Sequence, residues 1–246
     1  MTTEAYRETL RTLRDWDQFL MQESGLPGPR GNLELMQAVA DEGTLGLFQR
    51  YLAYTPDRAS TNSPEGFLAM CGVVGLGRLL AEGDRDQLAV LRVCANDPRW
   101  RVREAVAMAL QRWGDVDLPA LLKAMTDWVK GTLLERRAAA AAVCEPRLLR
   151  DPKCVKRVLK LLDMIMTSIV RETDRRAEDF KTLRQALGYC WSVAVAASPL
   201  VGKPAMEKWL VNPDADVAWI MRENLKKNRL ARMDAKWVQE WSSAVG

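Results

Sequence analysis

The sequence predicts an all-α fold, an α-solenoid. Three observations predict it. Apolar residues recur at three- and four-residue spacing along most of the chain, and the alternation of a half-buried strand is almost absent. Proline follows an acid or amide at one helix junction after another: Asp97-Pro98, Glu145-Pro146, Asp151-Pro152 and Asn212-Pro213, with Asp117 two residues before Pro119. Proline in a first helical turn forfeits no hydrogen bond, and the residue before it caps the turn. Finally, one sequence skeleton returns along the chain.

The elements follow in order. Leu10, Leu13, Phe19 and Leu20 predict a first helix over Thr3–Gln22, ended by the glycine- and proline-rich turn from Gly25 to Gly31. Short helices are expected at Leu33–Asp41 and Leu45–Tyr54, then a polar loop from Thr55 to Pro64. Beyond it the periodicity predicts helices near 65–82, 85–95, 99–113, 118–130, 132–144, 153–172, 176–197, 203–211, 214–227 and 234–243.

The skeleton is clearest between Asp97 and Leu110, as Val102, Arg103, Ala105, Ala109 and Leu110. Thirty-four residues earlier it becomes Leu68, Ala69, Cys71, Gly75 and Leu76; 81 residues later it becomes Leu183, Arg184, Ala186, Cys190 and Trp191. Another 34 residues on stand Val217, Ala218, Ile220, Asn224 and Leu225, and a vaguer copy lies at Leu134–Val143. Small residues at the Ala105 and Ala109 positions let a neighbouring helix approach, and flanking aliphatics supply buried area. A helical period of this length is the mark of a solenoid. The glycines Gly72, Gly75 and Gly77 lie in the same helical context and are expected to permit close packing. They lack the preceding strand of a dinucleotide site and the Lys-Ser/Thr ending of a phosphate loop.

The Asp-Pro, Val-Arg, Ala and Ala-Leu pattern of Asp97 to Leu110 resembles the HEAT-repeat family. That resemblance implies a single α-solenoid domain of stacked antiparallel helix pairs over 1–246, with about 60–230 as HEAT-like repeats and 1–55 as an amino-terminal helical cap. It also implies a structural role for Asp97 and Arg103, which in that family tie repeats together.

Composition excludes several kinds of chemistry. The 246 residues contain no histidine, which removes Ser-His and Cys-His catalysis and imidazole metal ligation. Cys71, Cys94, Cys144, Cys154 and Cys190 are odd in number and never form a Cys-x-x-Cys pair, so they are expected as buried, reduced thiols. The polar amino terminus lacks a signal-type apolar core, and no uninterrupted apolar run suggests a membrane span. The expectation is a cytoplasmic protein with no metal, no cofactor and no membrane partner. The sequence leaves its oligomeric state open.

Charge is distributed unevenly. Residues 1–96 hold 9 basic and 13 acidic groups, residues 97–246 hold 27 and 19, and all eleven lysines lie at or beyond Lys123. Lys153, Lys156, Arg157 and Lys160 form a basic stripe on one helix face, opposite Val155, Val158, Leu159, Leu162 and Ile165. Such a stripe suits phosphates or an acidic partner. A second cluster comprises Lys226, Lys227, Arg229, Arg232 and Lys236. Both are more simply explained as solvated faces with cations near helix ends.

A further candidate surface lies on the best repeat. With Val102, Ala105, Ala109 and Leu110 inward, Trp100, Glu104, Met108 and Gln111 share the outward face, and Arg136 and Arg137 follow in the next repeat. An aromatic, a methionine and a carboxylate together suit a binding groove. Packing of Trp100 on a neighbouring repeat, with Glu104 in a surface ion pair, explains them more simply. This arrangement resembles the HEAT-like alkylpurine DNA glycosylases, which line a basic cleft with aromatics, a carboxylate and an arginine. The resemblance implies Glu104 as the residue assisting departure of a cationic base, Arg136 or Arg137 on phosphate, and Trp191 as a second aromatic wall. It departs from that family in having Glu where an Asp is usual. The leading expectation is a non-catalytic scaffold binding a protein or nucleic-acid partner, with the glycosylase as the alternative. Trp237 and Trp241 are expected to close the end of the core. Ion pairs among Arg171, Asp174, Arg175, Arg176, Glu178 and Asp179 are expected to be solvated and local.

Overall fold

A computed structural model describes residues 1–245 of the chain. Among them every regular element is helical. The α-helices are α1 (Thr3–Thr12), α2 (Asp17–Glu23), α3 (Leu33–Glu42), α4 (Leu45–Leu52), α5 (Pro64–Ala81), α6 (Gln87–Cys94) and α7 (Trp100–Trp128). They continue as α8 (Leu133–Val143), α9 (Pro152–Arg171), α10 (Glu178–Ala197), α11 (Pro199–Leu210), α12 (Ala215–Leu225), α13 (Asn228–Met233) and α14 (Ala235–Ala244). A 3₁₀ turn, Pro146–Leu148, lies between α8 and α9. The chain divides into two compact units, Met1–Val116 and Asp117–Gly246.

The expected helices recur with three differences. The first breaks into α1 and α2, because Leu13 turns to extended backbone (φ −87°, ψ 138°) and the indole of Trp16 donates to the Leu10 carbonyl at 2.9 Å. The expected pair at 99–113 and 118–130 is present within α7, as two helices that meet without a loop at the non-helical Asp117 (φ −141°, ψ 73°). There the Asp117 carboxylate accepts from the Ala120 amide at 3.0 Å, restarting the helix around Pro119 as an N-cap does. Lastly, α13 forms from residues with no long apolar period, capped off by Asp234, which starts α14.

In the first unit α1 packs on α3 and α3 on α5, while α2, α4 and α6 lie against α5. Helix α5 is buried along most of its length. It is the one described helix long and apolar enough to cross a membrane, a feature the sequence reading passed over, and 72% of it is buried inside the protein. Its glycines allow that burial. A Cβ on Gly75 would meet the Phe48 ring at 2.3 Å, and one on Gly77 would meet the Ala109 Cα at 2.4 Å.

Arginines of this unit are engaged in holding it together. Arg99, 6% exposed, pairs with Asp97 and donates to the carbonyls of Tyr54 (2.7 Å) and Ala59 (3.1 Å). Arg101, also 6% exposed, donates to the Gly28 carbonyl at 2.8 Å, and Arg78 donates to the Ala40 and Gly43 carbonyls at 2.6 and 2.8 Å. Arg7 and Arg11 converge on Glu42, and Arg112 pairs with Asp41. Arg103 donates to the Asp97 and Pro98 carbonyls at 2.7 and 2.9 Å, while Arg99 takes the Asp97 carboxylate.

In the second unit α8 packs on α10, α10 on α12 and α12 on α14, and α9 and α11 pack on each other and on α10 and α12. The skeleton positions form the seam. Leu183, Cys190, Trp191, Val217, Ile220, Asn224 and Leu225 are all buried. Arg175 crosses to Asp214 (2.6 Å) and Asp216 (3.0 Å), and Arg184 reaches Asp216 at 2.5 Å, tying the start of α12 to α10 and the turn before it. The sequence reading assigned Arg175 to local solvated pairs. The structure replaces that with a link across some forty residues, because Asp214 caps α12 beside it.

Candidate functional site

Trp100, Glu104 and Met108 lie on α7 in the first unit. Trp100 is 49% exposed with the Arg101 guanidinium 4.4 Å from its ring centre, Glu104 is exposed and Met108 is partly buried. Arg136 and Arg137 lie on α8 in the second unit, the former partly buried and the latter buried. Trp191 does not offer an aromatic wall. It is wholly buried, and its indole N–H has no hydrogen-bond partner among the described residues, so it belongs to the core. Of the two carboxy-terminal tryptophans, Trp237 is buried and donates to Glu207 at 2.7 Å, while Trp241 is only partly covered.

The stripe on α9 has the expected polarity. Lys153, Lys156, Arg157 and Lys160 are exposed, and Val155, Val158, Leu159, Leu162 and Ile165 are buried. Lys153, Lys156 and Lys160 enter no ion pair among the described residues. The α9 cations line neither of the two cavities described next.

Those cavities lie along α10, α12 and α13. A cavity of about 720 Å³ has Pro146, Leu149, Val193, Ala196 and Ala197 as apolar wall and Lys226, Lys227, Arg229 and Arg232 as cations. No carboxylate lines it among the described residues. A second, of about 330 Å³, is lined by Lys181, Arg184, Gln185, Gly188, Trp219, Glu223 and Lys227, so Lys227 belongs to both. On α10, Lys181, Arg184, Gln185 and Gly188 line the smaller cavity, and Val193, Ala196 and Ala197 line the larger one further along the helix.

Local contacts set the side chains. Asn224, wholly buried, places its carboxamide across the α10 backbone, donating to the Leu187 carbonyl at 2.8 Å and accepting from the Ser192 amide at 2.8 Å. That fixes α12, and the cations just after it, against α10. The guanidinium of Arg229 lies 4.5 Å from the ring centre of Tyr189 and donates to its hydroxyl at 2.5 Å. Arg184 covers the Trp219 ring at 4.4 Å. Lys226 pairs with Glu223 at 2.5 Å, and the hydrogen bond it donates holds that carboxyl below the usual carboxylate range. Lys227 and Arg232 make no ion pair or side-chain hydrogen bond among the described residues, so their charge faces solvent and the cavity.

The sequence reading found the cluster of Lys226, Lys227, Arg229 and Arg232 but not its companions on α10 and α12. Lys181, Arg184 and Gly188 recur at three- and four-residue spacing and were legible as one face of α10, whereas Tyr189 beside them and Trp219 on α12 belong to no such spacing. All five cysteines are free thiols; Cys71, Cys144 and Cys190 are buried, whereas Cys94 and Cys154 are only partly so. No three Cys, Asp or Glu side chains gather as a metal site requires, among the described residues. Compared with protein-family models and with curated proteins, the chain matches none.

Proposed function

We propose that the protein is a non-catalytic, HEAT-like helical scaffold that binds nucleic acid on its second unit. The observation that carries this reading is the pair of cationic cavities along α10, α12 and α13, the larger lined by four cations and no carboxylate. Charge bookkeeping favours the same unit. Residues 117–246 contain 23 basic and 16 acidic groups, against 13 and 16 in residues 1–116, whose arginines largely hold backbone carbonyls and carboxylates. Clustered cations interleaved with aromatics are the footprint of phosphate recognition. The alternation of contacts in the second unit, α8–α10–α12 with α9 and α11 packed against them, supports stacked antiparallel helix pairs. The cytoplasm remains the compartment we propose, on the reduced state of the cysteines.

The test is fluorescence anisotropy of labelled nucleic acid at rising salt. Binding that weakens steeply with salt, and a slope reduced by roughly one when Arg232 becomes alanine, is expected. No binding at low salt refutes the reading and turns attention to protein partners.

A second reading rests on Trp100 and Glu104, both exposed one turn apart on α7. It makes the protein a glycosylase for alkylated bases, with Glu104 assisting base departure. Abasic sites accumulating in alkylated DNA, and their loss in Glu104→Gln, would establish it over the scaffold.

A further inference from the structure

The larger cavity is more than a patch of positive charge. Its inner wall is apolar, formed by Val193 and Ala196 on α10, Ala197 at its end, and Leu149 and Pro146 beyond α8. At about 720 Å³ it falls in the size range of pockets that enclose small organic groups rather than lone ions. Beside it Tyr189 is 42% exposed, with the Arg229 guanidinium stacked near its ring. The adjoining cavity repeats the pairing with Arg184 over Trp219.

A duplex uses only half of these features. Its phosphates satisfy the cations, but its bases are stacked and paired inward, leaving the apolar wall and aromatic edges uncovered. An unpaired strand uses all of them. Its phosphates meet Lys227, Arg229 and Arg232, while its unpaired bases are free to stack on an aromatic or guanidinium face, as single strands do on stacking platforms, and to cover the apolar wall. We infer that the strand bound along α10, α12 and α13 is single, with one unpaired base in the larger cavity against Ala196 and Ala197 and its phosphates on Lys227, Arg229 and Arg232. This inference rests on the nucleic-acid reading above and narrows it to one substrate class.

The experiment compares a labelled oligothymidylate with a labelled duplex of equal length, titrated with the full chain and with Ala197→Leu. Ala197 is exposed at the end of α10, so leucine there fills the cavity without disturbing the core. The oligothymidylate is expected to bind roughly tenfold more tightly than the duplex, and Ala197→Leu to weaken the single strand by a similar factor while leaving the duplex unchanged. Equal affinity for the two probes overturns the single-strand inference and leaves nucleic-acid binding standing. A single-strand preference that Ala197→Leu does not alter overturns the placement of the base. Binding of neither probe at low salt removes the nucleic-acid reading itself, and the inference with it.

Discussion

The side-chain oxygen of Asn224 accepts a hydrogen bond from the backbone amide of Ser192 at 2.8 Å, thirty-two residues away. The same carboxamide donates to the Leu187 and Ile220 carbonyls, each at 2.8 Å, so one wholly buried side chain grips the backbone of both α10 and α12. An amide in such a place fixes register, since sliding either helix would leave buried donors and acceptors unmatched.

Asn224→Leu should therefore destabilise the second unit by about 2–4 kcal/mol, the cost of stranding buried backbone groups plus overpacking a filled seam. Urea unfolding followed by circular dichroism measures it. A loss within about 0.5 kcal/mol, the range of an ordinary surface change, would deny the clamp any energetic role.

Stability should also fall in acid, with a sign set by the carboxylates. Glu42 is held below the usual range chiefly by Arg11, Glu223 by Lys226, and Asp234 by Lys203. Burial pushes Asp214 upward, but the Arg175 guanidinium and the amides of Val217 and Asp216 outweigh it and leave it lowered. The unfolded chain then takes up protons before the folded one. The stabilisation is full above the ordinary carboxylate values near 4 and is lost as pH falls through the lower folded-state values. Thermal melts from neutral pH down to about pH 3 should show this decline. Asp214→Asn should flatten it, and an unchanged slope would contradict the assignment to Asp214.

The first unit offers a steric test. A Cβ on Gly77 would lie 2.4 Å from the Ala109 Cα and 2.6 Å from its carbonyl oxygen, both backbone atoms. Although alanine is the better helix former, Gly77→Ala should cost about 1–3 kcal/mol, because α5 and α7 must separate to admit one methyl group. Denaturant midpoints of the two proteins decide it, and a stabilised Gly77→Ala would mean that the helices are not so closely apposed.

Thiol labelling should sort the cysteines by burial. Burial pushes the Cys71 and Cys144 thiols well up, the latter also through its contact with Cys190, and lifts Cys94 to about 11. In the native protein a maleimide should modify Cys154 first, on its partly exposed turn of α9, and reach Cys71 and Cys144 only on unfolding. Mass-spectrometric mapping of the labelled peptides checks the order. Cys144 reacting as quickly as Cys154 would place it at the surface.

Most of the helices were legible because burial repeats with the helix period. The skeleton around Val102, Ala105, Ala109 and Leu110, and its copies through Trp191 and Leu225, mark residues that are now buried. Asn224 stood in that pattern at the place of a small residue, yet its role depends on backbone groups of another helix, which no local spacing reveals. The break at Leu13 was hidden for a similar reason, since it rests on the Trp16 indole folding back onto Leu10. The cavities were half legible. A run of cations shows in one stretch of sequence, but its apolar wall comes from α10, whose outward residues look like any solvated face until α12 is docked beside them.

The two close glycines of α5 differ in what substitution elsewhere can do for them. Gly75 is crowded by the ring of Phe48, a side chain, whereas Gly77 is crowded by the main chain of Ala109. A smaller residue at position 48 makes room for a methyl group at position 75, so those two sites are free to drift together over evolutionary time. No replacement at position 109 removes a Cα or a carbonyl oxygen. Position 77 is thus closed to compensation, and related chains that retain this helix contact should keep glycine there while exchanging residues at 75 and 48 as a pair.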